Sequence, residues 1–137
     1  MSATTQGRFD LVVAGELLKH LQNIGRFLDA TWRSLRGGRL LVITTPNNYA
    51  LSRLLYALVL GREVCHSEHT CYYSPQTLCY MLKQHGFVVA REAVIPRQAG
   101  ARIVSVAYRW VARIRPTLAE ILFVVAQKRS RSSLVPE

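Results

Sequence analysis

Two stretches decide the fold: FDLVVAGELLKHL, Phe9 to Leu21, and LRGGRLLVITTPN, Leu35 to Asn47. Phe9–Ala14 is short, β-branched and almost wholly apolar, and it ends at Gly15. That composition predicts a strand buried on both faces, as in a parallel sheet. Ile24, Phe27, Leu28, Trp32 and Leu35 then recur at helical spacing, and Gly37-Gly38 reads as the helix stop. Leu40–Thr44 is a second buried strand, closed by Thr45-Pro46-Asn47-Asn48. Strand, helix, stop, strand is a βαβ unit, whose crossover is right-handed almost without exception.

Downstream, Tyr49–Leu60 is a strongly apolar helix ending at Gly61, with Leu51, Leu54, Leu55, Leu58 and Val59 expected in the core rather than as a lipid or substrate wall. Arg62–Tyr73 has no clean period and reads as a loop. Ser74-Pro75 pairs an N-cap residue with proline at the first helical position, so a helix should run to His85 with Gly86 behind it. Phe87–Ala90, extending toward Ile95, is a third strand, and Ala119–Gln127 is a fourth. Between them Ile103, Ala107, Trp110, Val111 and Ile114 share one helical face, Arg102, Arg109 and Arg113 lie to another side, and Pro116 ends the helix. Four strands with helices between them is an α/β pattern.

At 137 residues, half of them apolar and 19% charged, the chain suits one folded domain and excludes disorder or a solvated coiled coil. The domain should fill 1–128, leaving 129–137 as a frayed basic tail. No uncharged apolar run reaches the roughly 18 residues that cross a bilayer. The start, MSATTQGRFD, lacks a secretory signal core, and cysteines at 65, 71 and 79 form no disulfide framework. These features point to a soluble protein in the cytoplasm. No GxGxxG or GxxxxGK[ST] loop is present to cradle phosphate.

The net charge is +10, and Arg97–Arg131 holds eight basic residues against Glu120 alone. Such a segment can be a solvated face, or it can meet nucleic acid, anionic lipid or an acidic protein. Nucleic acid ranks last, because stacking aromatics and recognised motifs are missing. The helix around Trp110 could make a peripheral membrane contact, against the blander alternative of a packing helix with a charged outer side.

Taken in order with SEHTCYYSPQTLCYMLKQHGF, Ser67 to Phe87, and the final AEILFVVAQK, Ala119 to Lys128, the two opening stretches resemble the second half of a class I S-adenosylmethionine-dependent methyltransferase. The resemblance covers roughly residues 8–96 plus the last strand. It implies a truncated Rossmann-like sheet of about four strands with flanking helices, the last strand antiparallel. It also implies S-adenosylmethionine as cofactor and methyl transfer to a small-molecule or lipid-like acceptor. In that family a glycine-rich loop and an acidic residue on the first two strands hold most of the cofactor. This chain starts just before the family's fourth strand, so weak or absent cofactor binding is expected of it alone. The Phe9–Ala14 strand would then be an unpaired apolar edge. Such an edge implies a homo-oligomer, a chain that supplies the other half, or a non-catalytic partner-binding remnant.

The resemblance places cofactor contacts at Ala14, Gly15 and Glu16. It places substrate-side bases at His20, His69 and Tyr73, and substrate-side contacts at Asn47 and Tyr49. Each has a plainer reading as a turn or packed loop residue. Some relatives hold a divalent cation with Glu-x-x-Glu-His; here Lys19 stands in place of the second carboxylate and repels a hard cation, so no metal is expected. Cys65, His66, His69 and Cys71 crowd four zinc-type ligands into seven residues, but adjacent Cys65-His66 cannot easily serve one ion.

Overall fold

The computed structural model of the protein describes residues 7–62, 68–96, 110 and 113–129. Its elements in chain order are β1 (Phe9–Gly15), a 3-10 turn (Leu18–His20), α1 (Ile24–Ser34), β2 (Leu35–Pro46), α2 (Leu51–Leu60), α3 (Pro75–Gln84), β3 (Phe87–Ile95), a second 3-10 turn (Pro116–Leu118) and β4 (Ile121–Lys128). The four strands form one sheet in the order β1-β2-β4-β3. β1 and β2 run parallel, while β4 is antiparallel to both of its neighbours. This is the mixed α/β architecture expected, with the last strand reversed.

β2 begins earlier than the glycine pair suggests. Leu35 leaves α1 directly in extended conformation and pairs with Phe9, and the next pair is Leu11 with Leu40. Two steps on β1 therefore oppose five on β2, and the surplus bulges out around Gly38 at φ 74°. Arg36 and Arg39 close this bulge onto Asp10, at 2.6 and 2.9 Å. Gly37-Gly38 thus shapes a bulge within the strand rather than stopping the helix.

Local signals set α3. Ser74 Oγ accepts from the Thr77 backbone N–H at 3.1 Å, and Pro75 occupies the first helical position. At the far end Gly86 sits at φ 80°, where a Cβ would come within 2.9 Å of the Trp32 indole nitrogen. Both the backbone and the space require glycine there.

The core lies on one face of the sheet. Leu18, Leu28, Leu41, Ile43, Leu78, Leu82, Phe87, Leu122 and Val124 are all buried there. Alternation does the sorting: along β4, Leu122, Val124 and Ala126 are buried while Ile121, Phe123 and Val125 are half-buried and Gln127 is exposed. β1 departs from the expected strand buried on both faces. Only Ala14 is buried, and Phe9, Leu11 and Val13 are exposed by 49%, 52% and 64%. The cause is position: Phe9, Leu11 and Val13 alternate with Ala14 and so point away from the core face, on an edge strand whose outer side no described strand pairs.

α2 also departs from expectation. Leu54, Leu55, Leu58 and Val59 are exposed and none of its residues is buried, so they are not core. Of the expected Ile103–Arg115 helix, only Trp110, Arg113, Ile114 and Arg115 belong to the described residues, and all four are exposed. The tail beyond Arg129 and the pair Cys65-His66 lie outside the described residues.

Candidate functional site

In open α/β sheets ligands bind beyond the carboxyl ends of the strands. Here the parallel strands β1 and β2 end side by side at Gly15 and Pro46. A cleft of about 730 Å³ opens there, lined by Glu16, Lys19, His20, Thr44, Arg53 and His69 among others.

Glu16 carries the unusual backbone. Its φ is +53°, the left-handed region that a non-glycine residue occupies at a cost, while Gly15 before it needs no such freedom. Two bonds hold the turn: the Glu16 N–H donates to Thr44 O at 2.8 Å and to Thr44 Oγ1 at 3.2 Å. Its carboxylate accepts from Lys19 Nζ at 2.6 Å. This ion pair is the direct consequence of lysine at the third position after Glu16.

His20 follows in the 3-10 turn. Its Nδ1 lies 3.1 Å from the backbone oxygen of Glu68, and a carbonyl only accepts, so Nδ1 carries the proton. With the Nδ1 proton committed to that carbonyl, Nε2 is the ring nitrogen turned to other partners. His69 meets His20 edge to face, ring centroids 5.2 Å apart. His69 Nδ1 in turn lies 3.2 Å from Tyr72 Oη, and the Arg53 guanidinium stands 3.7 Å over the Tyr72 ring. Thr70 clasps this loop to the turn: its N–H donates to Lys19 O at 2.8 Å, and its hydroxyl reaches Leu21 O at 2.9 Å.

The structure thus brings Glu16, His20 and His69 into one cleft beside Ala14 and Gly15, the strand residues that lead into it. Tyr73 is elsewhere: it is buried, with Oη 2.7 Å from Cys71 Sγ, and burial and that contact both push its phenol pKa up. Asn47 is fully buried, donating to the carbonyls of Thr117 and Ala119 at 2.8 and 2.7 Å and accepting from the Tyr49 N–H at 3.0 Å. Its amide locks the end of β2 to the approach to β4 and offers nothing to the cleft. Tyr49 lines a neighbouring cavity of about 460 Å³ with Arg53, Leu54, Thr117 and Leu118.

The sequence reading missed Arg53, Tyr72, Thr44 and Tyr56. Arg53 is the one charged residue of α2, which is its signal. Tyr72 differs from the chosen Tyr73 by a single step, and only the fold decides which side each faces. Of the crowded zinc-type ligands that are described, Cys71 is turned to Tyr73 and His69 to Tyr72.

The family model described as "Methyltransferase domain" matches residues 2–92. Compared with curated proteins by sequence, the chain matches none. Among solved structures it is similar to a SAM-dependent methyltransferase from Archaeoglobus fulgidus, at 16% identity and TM-score 0.60, covering 90% of this chain and 61% of that one. A SAM-dependent methyltransferase from Methanosarcina mazei aligns at 18% identity and TM-score 0.59, covering 92% of this chain and 62% of the other. The Burkholderia thailandensis 1,6-didemethyltoxoflavin-N1-methyltransferase, solved with 1,6-didemethyltoxoflavin and S-adenosylhomocysteine, aligns at 14% identity and TM-score 0.58, covering 91% and 46%. The chain therefore spans between about half and three-fifths of the length of these structures, and at such identities the likeness concerns the fold. The family model covers about two-thirds of the sequence: this chain belongs to the methyltransferase-domain family, with the fold of the class I S-adenosylmethionine-dependent enzymes and S-adenosylmethionine as the cofactor that this resemblance carries.

Proposed function

We propose that this chain forms the acceptor-side wall of a methyl-transfer site, serving a small-molecule or lipid-like acceptor. One observation carries the reading: His20, His69 and Glu16 converge at the carboxyl ends of β1 and β2. The donor set fits one side of S-adenosylmethionine. Glu16 Oε1, the carboxylate oxygen that Lys19 does not bond, can accept from a hydroxyl or ammonium, and a Cβ at Gly15 would meet only Thr44 Oγ1 at 3.7 Å, so the strand end is open to a ligand. When bound, the cofactor supplies an electrophilic methyl group.

The protein's own part is placement and proton handling. His20 Nε2 is the group that can take a proton from an acceptor O–H or N–H, its ring held by the Nδ1–H bond to Glu68 O. His69 and Tyr72 set the orientation of that ring from the other side. Holding donor and acceptor in line accounts for most of the rate in such a displacement.

The other wall would come from a segment that pairs with β1, whether in a longer polypeptide, a second copy or another chain. Calorimetry with S-adenosylhomocysteine tests this, with and without the first half of the Archaeoglobus fulgidus relative added in trans. Binding that strengthens on addition supports the reading, and unchanged heats reject it.

The exposed β1 edge favours a second reading, a non-catalytic module that binds a partner through strand pairing. Light scattering at micromolar concentration that reports a clean monomer would weigh against self-pairing.

A further inference from the structure

α2 is too apolar for the exposure it has. Leu55, Leu58 and Val59 are exposed by 50%, 73% and 78%, and with Leu51 they follow the i, i+4 rows of one outward stripe. The inner side is committed elsewhere, since Arg53 and Tyr56 line the cleft at the strand ends. From Pro46 to Arg62 the sequence has no acid, and its two charges, Arg53 and Arg62, are both positive. Thr117 and Leu118 line a cavity with Leu54 and Ala57, and Arg113, Ile114 and Arg115, which precede them in the chain, are exposed. At ten residues α2 is far shorter than the roughly 20 that cross a bilayer, and no described helix is long and apolar enough to do so.

We infer that α2 is an interfacial helix that docks on an anionic lipid surface, with Leu55, Leu58 and Val59 entering the headgroup boundary and Arg62 meeting lipid phosphate. Charge decides between this occupant and a second copy of the chain. An anionic leaflet attracts a chain of net charge +10, whereas α2 of a second copy brings no acid to pair with Arg53 or Arg62. Area agrees: a helix about 15 Å long and 10 Å wide presents far less than the roughly 800 Å² per partner of a stable protein interface. Lipid needs no such area, because depth of insertion and charge add. This inference stands whether or not the chain transfers methyl groups.

Co-sedimentation at low salt with vesicles of phosphatidylglycerol and phosphatidylcholine, and with phosphatidylcholine alone, tests it. The chain should bind the anionic vesicles and release from them as salt rises. The double variant L58E/V59E should lose about tenfold or more in binding while keeping its circular dichroism spectrum, since both positions are exposed. Arg62→Gln should cost about fivefold on anionic vesicles and nothing on neutral ones. Absence of binding to anionic vesicles, or unchanged binding by L58E/V59E, overturns the inference. So does a dimer in sedimentation velocity that L58E/V59E dissolves.

Discussion

Glu16 concentrates the local cost of the candidate site in one residue. Its left-handed backbone persists because Thr44 accepts its N–H twice and Lys19 holds its carboxylate. Glycine at this position removes the strain but also loosens the unfolded chain, so Glu16→Gly should change stability by no more than about 0.5 kcal/mol. A β-branched side chain has no such relief, and Glu16→Val should destabilise by about 1–2 kcal/mol in urea unfolding. Equal stability of the two variants would show that the turn is not strained.

Cys79 supplies the pH dependence at this scale. Burial, and then its hydrogen bond to Glu92, push its thiol up to about 11 from an ordinary value of 9.0. A raised pKa means that the neutral thiol is favoured in the fold. Its stabilising contribution is complete below pH 9 and is lost as pH rises through about 11. Alkylation of Cys79, followed by mass spectrometry, should stay slow at pH 9 and accelerate toward pH 11. A half-point near 9 would place the thiol in an unperturbed setting.

Elements with local punctuation were legible in the sequence, and those defined by their neighbours were not. Ser74-Pro75 and Gly86 bound α3 within a residue or two of the expected span, since cap, first-turn proline and glycine stop each act within a few residues. Replacing the cap, Ser74→Ala, should therefore cost about 1 kcal/mol in thermal or urea unfolding, and no cost would mean that the Thr77 N–H finds another acceptor. β2 starts five residues before the expected Leu40, because a glycine pair after a helix looks like a stop unless the paired strand is known to admit a bulge. α2 was recognised as a helix but assigned to the core. Composition records that Leu54, Leu55, Leu58 and Val59 are apolar, and it cannot record that no described layer covers them.

For the whole molecule, order and spacing of the segments carried the fold: four strands with β4 antiparallel are what the resemblance implied, and the spatial order β1-β2-β4-β3 is what the structure adds. The cleft was legible in part. Glu16, His20 and His69 were named from the sequence and share it, whereas Asn47 is consumed by the backbone around it and Tyr73 by burial. Adjacent residues such as Tyr72 and Tyr73 are interchangeable in a sequence and opposite in a fold, which is why that choice required coordinates.

The central claim is that the carboxyl ends of β1 and β2 form the acceptor-side wall of a methyl-transfer site, with one side of the cofactor against Gly15 and Glu16. Titration of the isotopically labelled chain with S-adenosylhomocysteine, followed by residue-resolved amide NMR, tests it most directly, since weak binding still moves nearby resonances. The account predicts saturable shifts at Gly15, Glu16, His20 and Thr44. Resonances that stay still at these positions up to millimolar ligand, or shifts confined to Tyr49, Thr117 and Leu118 around the neighbouring cavity, would contradict it.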